Sequence, residues 1–176
     1  MSAVEVHLTL ASRSLITRIL GQTRSVTMST ARVGREIRKR LDLRESEKLI
    51  NAMEKIHEQA YMAELIEYKE KVDAKTILDT DVPPEQTNVS WDELMATDAK
   101  RFTIDDAYIT WLLDEIVEKD WRKVYVHNPN GTVQMSEASV SVSQMEAIAE
   151  LGDVLEKAKE SPVSESGKQA KDVKVA

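Results

Sequence analysis

A chain of 176 residues with 41% hydrophobic and 31% charged residues, five Gly and four Pro has the profile of one helix-rich folded unit and is too short for two independent cores. It contains no Cys, which excludes disulfides, thiolate catalysis and Cys-based zinc sites together and fits a cytoplasmic protein. The formal charge of −7 is unevenly spread: residues 1–44 hold nine Lys/Arg against three Asp/Glu, and the rest of the chain holds fifteen against twenty-eight, so +6 is joined to −13. A basic segment fused to an acidic remainder points to binding, because one face can meet phosphates or an acidic partner while the other keeps the molecule in solution.

The opening stretch MSAVEVHLTLASRSLITRIL is interrupted by Glu5, His7, Arg13 and Arg18, which argues against a signal peptide. No window approaches the ~20 apolar residues that a membrane-spanning helix needs. Within that stretch Val4, Val6, Leu8 and Leu10 alternate with polar residues, the period of a half-buried strand. Ser12 or Ser14 can then cap a short helix carrying Leu15, Ile16, Ile19 and Leu20, with Gly21 as its stop. After a polar link over 22–27, a second helix capped by Ser29 or Thr30 places Val33, Ile37 and Leu41 on one face and Arg32, Arg35, Arg38, Lys39 and Arg40 on the others.

Asp42 and Glu45 have capping-box spacing and open the longest helix, expected to run to about Val72, or ~40 Å for eight turns. Leu49, Met53, Ile56, Ala60 and Ala63 follow a 4-3-4-3 heptad spacing, widened by Ile50, Leu65 and Ile66. That stripe reads either as core or as a seam for a partner helix or a second copy of the chain, since the helix is longer than a small domain readily covers. Residues 75–100 then lapse into a loop around Pro83-Pro84, broken by a short helix WDELMA with Ser90 and Glu93 as its capping box.

Thr103 is the expected cap of the next helix, which carries Ile104, Tyr108, Trp111, Leu112, Glu115 and Ile116 at helical spacing. Trp111, with Trp91 and Trp121, is read as a core anchor. Val124-Tyr125-Val126 and Thr132 to Met135 flank Asn128-Pro129-Asn130-Gly131, a β-hairpin signature. Val140 and Val142 alternate with Ser and suit either a third short strand or the approach to a helix opened by Ser143 and Glu146. Met145, Ile148, Leu151, Val154 and Leu155 give this last helix its apolar face. From residue 160 onward periodicity is lost, and 160–176 reads as a disordered tail.

Among candidate sites, the basic run is the strongest. Six cations between Arg32 and Arg44 can lie along a phosphate backbone or dock an acidic groove on a protein, unless Glu36, Asp42 and Glu45 pair with them. The acidic remainder and the lack of an aromatic within the run favour protein over nucleic acid. Glu54 and His57 have the spacing of two metal ligands on a helix face, but a bundle site needs a second such motif and further glutamates. Asp79 and Asp81 lack any phosphate cradle beside them, and Asp105 and Asp106 suit the negative charge that a helix N-terminus favours. No Gly-x-Ser-x-Gly elbow occurs, and the three His are scattered, so no nucleophile-base pair is drawn.

Over residues 4–41, the segments VEVHLTLASRSLITRIL and STARVGREIRKRL resemble a group of small uncharacterised accessory proteins of tailed bacteriophages. The likeness covers about a fifth of the chain and rests on pattern. It implies an accessory or host-interaction role in the host cytoplasm and carries over no catalytic or binding residue.

The sequence thus predicts a mainly α chain with minor β: a helical bundle over 1–159 with one long central helix and a small hairpin. Its expected function is non-enzymatic binding of a macromolecule, without cofactor or metal. A protein partner comes first, reached through the basic helix (Arg32, Arg35, Arg38, Lys39 and Arg40) or through the long helix, whose seam of Leu49, Met53, Ile56 and Ala60 also suits a homodimer. Nucleic acid, with the same cations on phosphates, is the alternative.

Overall fold

A computed structural model of the chain describes residues 2–21 and 27–161. The order of elements is β1 (Ala3–Leu8), α1 (Leu10–Gly21), α2 (Met28–Arg40), α3 (Leu43–Asp73), α4 (Trp91–Met95), β2 (Lys100–Asp105), α5 (Asp106–Glu118), β3 (Lys123–His127), β4 (Val133–Glu137) and α6 (Val142–Glu160). The molecule is mainly α with a minor β part, as its composition and periodicity predict. The predicted 160–176 tail lies outside the described residues except for its first two.

The first strand is shorter than its alternation suggests. Val4, Val6 and Leu8 point inward, but Leu10 already belongs to α1, because Thr9 Oγ1 accepts the Ser12 N–H at 3.2 Å and takes the capping role expected of Ser12 or Ser14. Leu10 N–H is itself satisfied by Thr97 Oγ1 at 3.0 Å.

The partner of β1 is a strand whose end, from the expected cap Thr103 and Ile104 onward, periodicity assigns to a helix. β2 pairs antiparallel with β1 from Ala3 opposite Asp105 to Leu8 opposite Lys100. In this register Val4 faces Ile104 and Val6 faces Phe102 on the buried side, while Glu5 and His7 face Thr103 and Arg101 outside. Thr103 is therefore a strand residue, and Asp105 occupies the N-cap position of α5. Cross-strand pairs of this kind stabilise a sheet by roughly 0.2–1 kcal/mol each.

The inner face of this ribbon rests on α1, α5 and α6. Leu15, Ile16, Ile19, Ile109, Leu112, Leu151 and Leu155 are fully buried there, each contributing about 1.5–3 kcal/mol of transfer free energy. Trp91, Trp111 and Trp121 pack against this core from its margin and remain partly exposed. α6 begins two residues earlier than its spacing suggests, with Ser141 Oγ accepting the Gln144 N–H at 3.1 Å. The alternating Val140 and Val142 thus lead into this helix and form no strand.

The hairpin forms as predicted, from Lys123 opposite Glu137 to His127 opposite Val133. Gly131 sits at φ 82, a left-handed conformation that a side chain would strain, and its N–H bonds Asn128 O at 3.0 Å.

α3 departs most from expectation. It spans 31 residues, about 46 Å at 1.5 Å per residue, and is not central: only Leu43 and Ser46 are buried, with Ile50 and Met53 half-covered. Beyond Met53 it projects from the body as an arm. Residues 74–90 return along one side of it like a strap, held where His57 Nδ1 meets Thr87 Oγ1 at 2.9 Å, His57 Nε2 meets Glu93 Oε2 at 3.0 Å, and Glu54 Oε1 accepts the Val89 N–H at 3.3 Å. Asp42, read as the cap of α3, adopts a left-handed conformation (φ 48, ψ 49) and makes no capping bond; with Glu45 it instead approaches Lys100 Nζ, at 3.9 and 3.4 Å.

Candidate macromolecule-binding surface

α2 is set by a capping box whose N-cap lies two or three residues before the expected Ser29 or Thr30: Thr27 Oγ1 accepts the Thr30 N–H at 3.2 Å, and Thr30 Oγ1 accepts the Thr27 N–H at 2.8 Å. Its single buried residue, Ile37, and the following Leu41 pin the helix to the core. With one narrow stripe turned inward, the rest of the helix faces solvent. Arg32, Arg35, Arg38, Lys39 and Arg40 are all exposed. Among the described residues no carboxylate lies within 4 Å of any of the five, so the pairing with Glu36, Asp42 or Glu45 that the sequence allows does not form.

Beside these cations lies a cleft of about 330 Å³ lined by Leu20, Thr30, Ala31, Gly34, Arg35, Arg38 and Trp111. Three helices build it. Ala31, Gly34 and Arg38 recur at three- and four-residue steps along one side of α2, α1 supplies Leu20, and α5 supplies the indole. The small residues keep the floor open: a methyl added at Gly34 would touch only Leu20 Cδ2, at 3.8 Å. The result is a largely apolar recess with Arg35 and Arg38 in its lining, suited to a side chain or base whose neighbours carry negative charge. Trp111 packs against the margin of the core, as its spacing in α5 predicts, but nothing in that spacing reveals that it also lines a cleft with α2.

The other candidates are used structurally. Glu54 and His57 hold the strap, and Asp81 Oδ2 accepts the Leu78 N–H at 2.9 Å within a turn. Asp106 lies in the first turn of α5 and accepts the Ser2 hydroxyl at 2.7 Å. No group of three or more His, Asp or Glu able to hold a metal occurs among the described residues. The seam residues Leu49, Ile56 and Ala60 are exposed, with Met53 half-covered, and they stand on α3 apart from the cleft.

Among the described residues one cation is buried. Arg13 is 4% exposed, with its guanidinium carbon 5.5 Å from the Phe102 ring centre and with Nε and Nη1 lacking hydrogen-bond partners. Desolvation pushes its pKa down, and the charges of Glu45 and Asp42 oppose that shift. This side chain therefore lies over Phe102 of β2, within the field of the carboxylates at the start of α3.

No helix among the described residues is long and apolar enough to cross a membrane. No protein-family model matches this chain, and no curated protein or solved structure matches it either.

Proposed function

We propose that the chain is a non-enzymatic accessory protein that binds an acidic protein segment across α2, with Arg32, Arg35, Arg38, Lys39 and Arg40 as charge contacts and the Trp111 cleft as the anchor for an apolar side chain. The observation that carries this reading is the row of five exposed cations without ion pairs among the described residues, set against an open apolar recess. Charge of this kind speeds encounter and sets register, while an aromatic-lined pocket supplies the desolvated contact that most affinity depends on. The likeness of residues 4–41 to bacteriophage accessory proteins supports a viral setting for that role.

The test is a tagged pull-down from host lysate, with and without nuclease, comparing the native chain with an Arg35→Glu, Arg38→Glu, Lys39→Glu triple variant checked for fold by circular dichroism. The native chain retains a protein after nuclease, and the variant binds it roughly a hundredfold more weakly, about 1 kcal/mol per reversed contact. A folded variant that keeps every partner overturns the proposal. The proximity of Trp111 to Arg35 and Arg38 favours a second reading, in which a base stacks on the indole and phosphates meet the arginines. Loss of the captured material on nuclease treatment, with affinity falling steeply with salt, selects that reading.

A further inference from the structure

The arm presents a second surface. Its body-facing and strap-facing residues, Ile50, His57, Tyr61 and Tyr68, are half-buried along one line, while Leu49, Ala52, Ile56, Ala60 and Ala63 form an exposed stripe about a third of a turn around the helix. Leu49 is 43% and Ile56 64% exposed. This stripe is open from the body outward, since the body and the strap lie on the other side.

We propose that the stripe is covered by the same stripe of a second copy, with the two α3 helices antiparallel about a two-fold axis at the level of Glu58. Size and charge both select this arrangement. In the antiparallel register Ile56 of each copy meets Ala60 of the other, and Met53, half-covered by its own body, meets Ala63, so at these central layers a large side chain faces a small one. A parallel, in-register pair would stack Ile56 on Ile56 and leave gaps at both alanine layers. The heptad continues beyond Ala63 into Glu67 and Glu70; in a parallel pair these carboxylates face their own copies, whereas the antiparallel register separates them and leaves Glu67 opposite Leu49 at the outer end of the seam. The antiparallel pair also places the two bodies, with their basic α2 helices, at opposite ends.

The seam from Leu49 to Glu67 covers about five turns. A contact of that length is modest, so the dimer is a concentration-dependent equilibrium.

Sedimentation equilibrium of the full chain over a range of concentrations, combined with dipolar distance measurements between spin labels, tests this. The chain has no Cys, so Gln59→Cys and Lys69→Cys each provide a single labelling site. Two labels at position 59 lie close together, and two at position 69 are separated by about 33 Å along the axis, at 1.5 Å per residue. Ile56→Glu, a change at an exposed site that leaves the fold intact, raises the dimer dissociation constant about a hundredfold, because the isologous contact buries the new charge twice. The α2 triple variant leaves the dimer unchanged, which separates this interface from the partner surface. A chain that is monomeric at every concentration, a short distance at both label sites, or a dimer indifferent to Ile56→Glu overturns the proposal.

Discussion

α6 and α3 are both amphipathic helices, yet one is held by the body and the other mostly stands away from it. In the 19 residues of α6, Ala147, Leu151, Leu155 and Ala158 are buried at three- and four-residue steps against α1, α5 and β1. In the 31 residues of α3, burial ends at Ser46 and the heptad stripe carries on into solvent. The difference shows that helical periodicity reports an apolar face but not what covers it. Coverage depends on which elements the chain returns to that face, and after Asp73 it returns a Pro-containing strap to a different side.

The comparison is sharpest at two single truncations. Leu151→Ala removes a fully buried side chain in contact with several elements and is expected to cost about 3 kcal/mol, from lost transfer free energy and an unfilled cavity. Ile56→Ala in dilute solution is expected to change stability by less than about 0.5 kcal/mol, as for other surface sites. Urea denaturation of both variants checks this. Equal losses would mean that the arm folds as part of the core.

A smaller effect is expected at the strap. His57 is the one α3 side chain that bonds both Thr87 and Glu93, so His57→Ala should free residues 74–90 at a cost of about 1 kcal/mol per lost net hydrogen bond. The loss is local, because little of the core depends on the strap. Limited proteolysis should therefore cut the variant within 74–90 at a denaturant concentration where Leu151 and its neighbours still resist amide exchange. Unchanged cleavage would show that Val89 and the Glu54 contact hold the strap without the imidazole.

Much of this architecture is legible in the sequence because it is local. Ser90 caps α4, Asn-Gly closes the hairpin, and the cations of α2 lie outside because the same helix has only Ile37 to bury. What is not legible is what depends on residues far apart. Lys100–Asp105 carries only Phe102 and Ile104 as apolar residues and becomes a strand because β1, about a hundred residues earlier, offers an edge in the matching register. Likewise the arginines of the candidate surface are visible as a run, but its recess needs Leu20 and Trp111 from two other helices. Helix caps also sit earlier than the spacing suggests: Thr9, Thr27 and Ser141 supply the side-chain bonds where Ser12 or Ser14, Ser29 or Thr30, and Ser143 offered the same hydroxyl chemistry.

The hairpin offers the mildest contrast. β4 is exposed along its whole length, and the entry to β3 is fixed by Asp120, whose Oδ1 accepts the Arg122 N–H at 3.1 Å and approaches Arg122 Nε at 3.4 Å. The Arg122 backbone bond, then the Arg122 side-chain bond, hold the carboxyl below its usual range, with the Arg122 and Lys123 charges adding to the effect. A carboxyl whose pKa is lower folded than unfolded contributes stability above the unfolded value, and that contribution fades as pH falls through the folded value. Asp120→Asn keeps an acceptor for the Arg122 N–H but removes the charge. It should therefore speed amide exchange in the hairpin slightly at neutral pH, more at low salt than at high, and match the native chain once the carboxyl is protonated. An effect that persists unchanged into acid would assign the turn to the hydrogen bond alone. An effect reaching α6 would mean that the hairpin is coupled to the body more closely than its exposed strand implies.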